Sequence, residues 1–268
     1  MSDLAVGILG GAGRMGRALV RAVTEAKGAT VIGAVDAPGN PEMGKDLGTL
    51  AGIDPLGVTL GGDVRALFQK ADVIIDFTIP RVTAENARIA AETGTAYVVG
   101  TTGLEPEQQA AIAEAGRRAV VVQAANFSLG VNLTIALTRR LAEVLDDSFD
   151  IEIVEMHHRH KVDAPSGTAL ALGRAAAEGR GVTLEDKADR GRDGITGARK
   201  RGDIGFAVLR GGNVAGDHTV VFAADDERIE LTHKAGDRII FARGAVHAAL
   251  WTAGKSAGYY TMQDVLKL

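Results

Sequence analysis

Residues 10–16 read GGAGRMG and join an apolar run, Leu4 to Leu9, to a segment from Arg14 to Lys27 that places Leu19, Val20 and Val23 on one helical face. A strand that enters a helix through a turn this short has few ways to fold. Gly11, Gly13 and Gly16 carry the G-x-G-x-x-G spacing, in which the first glycines allow the tight turn and close approach of a pyrophosphate and the last lets the helix pack on the sheet. Asp36 closes the next apolar run, Thr30 to Val35, where a carboxylate accepts hydrogen bonds from a ribose. A glycine turn used for packing alone would not need that carboxylate. Gly10, Gly11, Gly13, Arg14, Met15 and Asp36 are therefore expected to contact a dinucleotide.

The alternation continues through the first half of the chain. Short apolar runs at Ala71 to Phe77, Ala96 to Val99 and Ala119 to Val122 are separated by helical patterns near residues 82–93 and 105–118, which implies right-handed crossovers and a parallel sheet. Two of these runs end in small or hydroxylated residues, Gly100, Thr101 and Thr102, and Ala124, Ala125, Asn126 and Phe127. At the carboxyl ends of parallel strands such residues suit the rim on which a nicotinamide lies, although ordinary strand-to-helix turns, with Thr102 as a cap, read equally well. After Asn126 the pattern changes to a long helix, roughly Gly130 to Leu145, and then to runs at Ile151 to Glu155, Ile204 to Arg210, His218 to Ala224 and Arg228 to Thr232 with few helical patterns among them. This predicts a smaller α+β domain with an antiparallel or mixed sheet. A last helix, about Asp237 to Ala253, is expected to return to the first domain. The expected division is 1–128 with 239–268 for the dinucleotide, and 129–238 for substrate and assembly. Residues 183–202, polar and glycine-rich, read as a long mobile loop.

The run from Glu155 to Thr168, EMHHRHKVDAPSGT, holds the densest chemistry. His157, His158, Arg159, His160 and Lys161 follow one apparent strand, and Pro165, Ser166, Gly167 and Thr168 lead into an Ala/Leu helix. Unpaired N–H groups at a helix opening attract carboxylates and phosphates, and neighbouring histidines supply donors that titrate near neutral pH. A solvated basic loop is the alternative, but strand ends in α/β folds are where ligands gather.

Together these segments identify a resemblance to the dihydrodipicolinate reductase family, carried by GGAGRMG, IDFT (75–78), VVGTTG (98–103), AANFSLGVN (124–132), HHRHKVDAPSGTA (157–169) and GAVHAALW (244–251). It spans nearly the whole chain. The resemblance implies a Rossmann-type domain joined to a substrate domain, and hydride transfer from NADH or NADPH to a cyclic unsaturated dicarboxylate. It assigns His157 and Lys161 as general acid candidates. One substrate carboxylate is expected at Ser166, Gly167 and Thr168, and the other at His158 and Lys161 with Arg238 as a further contact. Arg159 and His160 read as residues that orient the loop, and His233 and Lys234 as structural. Some relatives carry an arginine after the acidic ribose ligand; here Ala37 stands there, which favours NADH over NADPH unless Arg14 supplies the guanidinium. A homotetramer built through the second domain is also implied, with hinges near Phe127 to Gly130 and Arg238.

Composition narrows the alternatives. A net charge of −4 over 268 residues gives no general attraction to nucleic acid or to an anionic membrane, and the absence of cysteine removes disulfides, thiolate catalysis and cysteine-bound metal. No metal site is expected. No apolar stretch reaches membrane-spanning length and the first residues lack a signal pattern, so the expectation is a cytoplasmic enzyme acting on a small molecule. Two rival readings are a reductase of another small dicarboxylate or amino acid, and a non-catalytic dinucleotide sensor, which would have no use for His157 and Lys161.

Overall fold

In the computed structural model, residues 2–268 are described, and the chain forms two compact units, 2–128 with Ile239–Lys267, and Leu129–Arg238. The first begins with β1 (Leu4–Leu9), α1 (Arg14–Glu25), β2 (Ala29–Val35), α2 (Leu47–Ala51), β3 (Leu60–Gly61) and α3 (Val64–Lys70). It continues through β4 (Val73–Asp76), α4 (Pro80–Thr93), β5 (Ala96–Val99), α5 (Pro106–Ala115) and β6 (Val120–Gln123). The second unit runs α6 (Leu129–Val144), β7 (Asp150–His157), α7 (Gly167–Gly179), α8 (Leu184–Lys187), β8 (Ala188–Asp189), β9 (Ile204–Arg210), β10 (Asp217–Ala223) and β11 (Arg228–Lys234). The chain then rejoins the first unit as α9 (Ile239–Trp251), β12 (Gly258–Tyr260) and α10 (Met262–Leu266).

Seven parallel strands in the order β12-β6-β5-β4-β1-β2-β3 form the first sheet. Helices cover both faces, so central strands are apolar at every position rather than at alternate ones: Val73, Ile74 and Ile75 are all fully buried. Val73 and Ile75 belong to the core that includes Leu19, Val23 and Ala245, while Ile74 points the other way, to Ala87, Ala90 and Ile112. Local signals set the helix ends. Proline occupies the first turn of α4 and α5, a Glu105/Gln108 capping box opens α5, and Gly94 in the left-handed region closes α4. The strand order reverses direction between β1 and β4, and at such a switch point the carboxyl ends of the strands leave a crevice.

The second sheet is mixed, in the order β11-β10-β7-β9-β8. β7 pairs antiparallel with β10 and parallel with β9. Here burial alternates strictly along β7, because α6 and α7 cover one face only. Ile151, Ile153, Phe206, Val220 and Phe222 form the covered core.

Residues 183–202 are only in part the expected loop, since 190–202 carry no helix or strand and are almost all exposed. The segment also contains α8 and β8, and arginines tie the remainder to the outer face of β7. Arg199 reaches Asp150 at 2.7 Å and Glu152 at 2.8 Å, and Arg192 reaches Glu152 at 2.6 Å. No helix is long and apolar enough to cross a membrane among the described residues.

Candidate functional site

In the first unit the glycine turn is held by its own backbone. Gly10 adopts φ +71° and with Gly11 donates to the Val35 carbonyl, while Gly13 donates to that of Gly10. A Cβ at Gly16 would lie 2.2 Å from the Gly10 oxygen, and one at Gly11 would lie 2.6 Å from Ala34 Cβ, so both glycines are needed for packing. Gly13 is different: its nearest obstacle is the Gly10 oxygen at 3.2 Å. It caps α1 without a side chain, and no acidic residue occupies the first turn. That helix opening suits an anion. Exposed Arg14 forms no ion pair among the described residues, and Met15 packs partly buried against the core.

Asp36 has a structural partner as well. Its carboxylate accepts from Ala12 N–H at 2.9 Å and from Ala37 N–H at 2.8 Å, tying the end of β2 to the turn after β1. Each oxygen keeps further acceptor capacity, as a ribose ligand requires. The residues present thus fit a dinucleotide, with an uncapped helix opening for its pyrophosphate and a carboxylate for its ribose.

Along the carboxyl edge of the sheet the expected residues divide. Thr102 and Ala125 are exposed, and Gly100, Ala124 and Asn126 half-buried. The Asn126 side chain accepts from Ser128 N–H at 2.8 Å. Thr101 is buried, its hydroxyl 2.7 Å from that of Thr83. Both border Asp76, a fully buried carboxylate that accepts from Thr78 N–H at 2.7 Å, Thr78 Oγ1 at 2.6 Å and the Tyr97 hydroxyl. Burial, then the Asp76 charge, pushes the Tyr97 phenol far above its ordinary pKa. Phe127 is a core residue whose ring packs 5.6 Å from that of Phe77. The side chains of Thr101 and Phe127, read from sequence as cofactor contacts, are therefore turned inward, and the whole residues are only 5% and 1% exposed.

In the second unit, strand register assembles the chemistry. The alternation that buries Ile151 and Ile153 also buries Glu155 and His157. Arg210 at the end of β9 stands beside His157, and His218 of β10 stands beside Glu155. Glu155, 1% exposed, accepts from His157 Nδ1 at 2.6 Å, from Ser166 N–H at 3.0 Å and from both terminal nitrogens of Arg210 at 2.8 and 3.0 Å. Burial alone would raise its pKa, but the bonds from Arg210, His157 and Ser166 outweigh it and hold the carboxylate below its ordinary value. An ionised Glu155 makes Nδ1 of neutral His157 the protonated nitrogen and leaves Nε2 with a lone pair.

The 157–161 segment is pinned to the turn after β9: Gly211 N–H donates to the His157 carbonyl, and His158 N–H to that of Val214. His158 is half-buried, and burial, followed by the nearby Arg238 and His160 charges, lowers its pKa. Lys161, with a side chain 20% exposed, pairs with Asp163 at 2.7 Å. After the cis Ala164–Pro165 bond, Ser166 caps α7 by accepting from Ala169 N–H at 3.1 Å. Its hydroxyl also lies 2.9 Å from His218 Nε2 and the residue is buried, so Ser166, expected to hold substrate, serves as a cap. Exposed Gly167 and half-buried Thr168 open the helix, and Arg238 is exposed.

Sequence reading missed Glu155, Arg210 and His218. The period-2 match of Glu155 with His157 was a legible signal. Arg210 and His218 gave none, because their role depends on which strands pair.

A parallel sheet with this glycine turn, and a separate unit carrying a cationic strand end beside a helix opening, define a pyridine-nucleotide-dependent oxidoreductase. Residues 4–127 match the model described as dihydrodipicolinate reductase, N-terminus, and residues 130–266 match its C-terminus counterpart. The 4-hydroxy-tetrahydrodipicolinate reductase of Rhodopseudomonas palustris (strain BisB18) is 59% identical over 268 residues, 100% of this chain and 99% of that one. The Bradyrhizobium diazoefficiens protein of the same name is 58% identical over the same spans. A solved dipicolinate-bound dihydrodipicolinate reductase from Paenisporosarcina sp. TG-14 shares the fold, with a TM-score of 0.77 at 24% identity over 97% of both chains. The chain belongs to the dihydrodipicolinate reductase family.

Proposed function

We propose that the chain reduces 4-hydroxy-tetrahydrodipicolinate to tetrahydrodipicolinate in the diaminopimelate route to lysine. The nucleotide held at the glycine turn supplies the hydride. The protein supplies a proton and charge complementarity for two carboxylates, and the hydroxyl of the substrate leaves as water.

The opening of α7 takes one carboxylate through the backbone at Gly167 and Thr168 and the Thr168 hydroxyl, at the positive end of the helix dipole. His158, Lys161 and Arg238 surround the other. Lys161, and His157 once its Nε2 has also taken up a proton, are the proton sources. The observation that supports this most is the meeting of a cationic strand end and a helix opening on one buried carboxylate, Glu155, through His157 and Ser166. A sensor of nucleotide alone has no use for that arrangement.

NADH is the preferred nucleotide, with NADPH tolerated. Asp36 would repel a 2′-phosphate, and Ala37 offers no guanidinium to offset it. Assembly is a homotetramer through the open face of the second sheet, where Val154 and Met156 are only half-buried and Leu209 is 50% exposed. The working place is the cytoplasm, with the rest of the pathway.

Two variants test the division of labour. Lys161→Ala and Thr168→Val should each bind NADH as the wild type does but lose turnover, the first by roughly 100-fold or more as expected for a lost proton donor. Wild-type protein that binds NADH tightly yet never turns over this substrate would favour a sensor or another dicarboxylate.

A further inference from the structure

Glu155 receives four donor bonds, and they come from three residues. Oε2 accepts from His157 Nδ1 and Arg210 Nη1, and Oε1 accepts from Ser166 N–H and Arg210 Nη2. A carboxylate has about four acceptor positions. All are used. Arg210 Nη2 extends the arrangement by donating to the Asp163 carbonyl at 2.6 Å, next to the Lys161 partner.

We infer that Glu155, clamped by Arg210, is a positioning residue that sets the His157 tautomer with one oxygen and the opening of α7 with the other. The inference rests on the proposed reductase function and deepens it: proton delivery and carboxylate binding are aligned by one side chain that touches neither substrate nor nucleotide. The Oε2 arm keeps Nδ1 protonated and so aims Nε2 as the exchanging nitrogen. The Oε1 arm fixes the backbone of the residue that caps α7, and with it the direction of the first-turn N–H groups.

A buried ion pair that only stabilises the unit would explain the Glu155 and Arg210 contact. It would not explain why the same carboxylate also receives His157 and Ser166. Glutamine in place of Glu155 separates these accounts, because its carboxamide has one acceptor oxygen and two N–H donors. At least two of the four donors then face a donor.

The experiment uses the full-length enzyme. In Glu155→Gln, kcat should fall roughly 100-fold, the scale of misplaced acid catalysis, and KM for the dicarboxylate should rise about 10-fold as one helix-opening alignment is lost. NADH affinity should not change. The two arms separate in a His157→Gln background: there Glu155→Gln should leave kcat within about 3-fold while still raising KM, the non-additivity of residues acting as a unit. Nitrogen-15 NMR of His157 supplies a readout independent of turnover, with Nδ1–H in the wild type and loss of that single tautomer in the variant. Arg210→Lys keeps the charge but cannot span both oxygens, and serves if Glu155→Gln does not fold. It should broaden the His157 tautomer signal and lower kcat in the same direction. An equal kcat loss from Glu155→Gln in both backgrounds, or an unchanged His157 tautomer in either variant, overturns the inference. If the wild type fails to turn over the substrate, the reductase reading fails while the tautomer measurement still decides the role of Glu155.

Discussion

Two glycines three residues apart should respond very unequally to alanine. At Gly16 an added Cβ would lie 2.2 Å from the Gly10 oxygen, 2.7 Å from Gly11 Cα and 2.8 Å from the Gly11 carbonyl carbon. All three atoms are backbone, so none can rotate away. Reaching ordinary contact requires the turn or α1 to move by about 1 Å, and overpacking of this kind costs about 1–3 kcal/mol. At roughly 2–4 °C per kcal/mol, unfolding of the first unit should begin about 2–12 °C lower in Gly16→Ala. At Gly13 the nearest atom is 3.2 Å away and φ is −70°, which alanine adopts freely. Gly13→Ala should cost much less than Gly16→Ala, because the Gly10 oxygen need give way by only a few tenths of an ångström and the added methyl group narrows the unfolded ensemble. If the pyrophosphate lies against the backbone there, the methyl group should weaken NADH binding at least about tenfold, or 1.4 kcal/mol. Thermal unfolding followed by circular dichroism and NADH titration followed by fluorescence measure the two effects on the same samples. A Gly16→Ala protein with wild-type stability would refute the packing account. A Gly13→Ala protein with wild-type NADH affinity would refute the position given to the nucleotide.

Three other perturbations probe separate parts of the account. Ala37→Arg should move the NADPH to NADH ratio of kcat/KM toward NADPH by roughly tenfold, through a guanidinium placed for the 2′-phosphate. An unchanged ratio would sink the explanation of cofactor choice. Burial, then the neighbouring His157 charge, holds His218 at a pKa of about 4, so the folded state keeps it neutral while the unfolded chain takes up a proton below its ordinary 6.5. Stability is therefore complete above pH 6.5 and lost as pH falls toward 4, by roughly 3 kcal/mol in all. His218→Gln should flatten that acid dependence in denaturant titrations, and a slope equal to wild type would contradict it. Leu209→Glu, on the open face of the second sheet, should shift light-scattering mass from a tetramer to a smaller species, whereas an unchanged tetramer would place the interface elsewhere.

The first unit was legible because its signals are local. A glycine turn, a carboxylate at the end of the next strand and uninterrupted apolar runs declare a parallel sheet before any pairing is known. β3 and β12, at two and three residues, are too short for periodicity to mark and exist because neighbours pair with them. Phe127 shows the limit of reading a rim from composition: its place in AANF suggests a cofactor edge, yet an aromatic ring beside Phe77 gains more from the core. Asp36 was expected as a ribose ligand, but its bond to Ala12 N–H also makes it a brace of the turn. In the second unit, the HHRHK run announced cations, while the carboxylate that organises them became significant only once β9 and β10 supplied Arg210 and His218 from residues 55 and 63 positions away. In the 183–202 segment the loop was legible from glycine and charge, but α8, β8 and the ion pairs of Arg192 and Arg199 with carboxylates on β7 were not.

The most direct test of the central claim follows the hydrogen itself. With NADH deuterated at the transferable position of the nicotinamide, and substrate made in place from pyruvate and aspartate semialdehyde by a synthase, the account predicts one nucleotide oxidised per substrate consumed and one deuterium in the tetrahydrodipicolinate by mass spectrometry. Nucleotide oxidation that does not depend on substrate, or a product without deuterium, would contradict it.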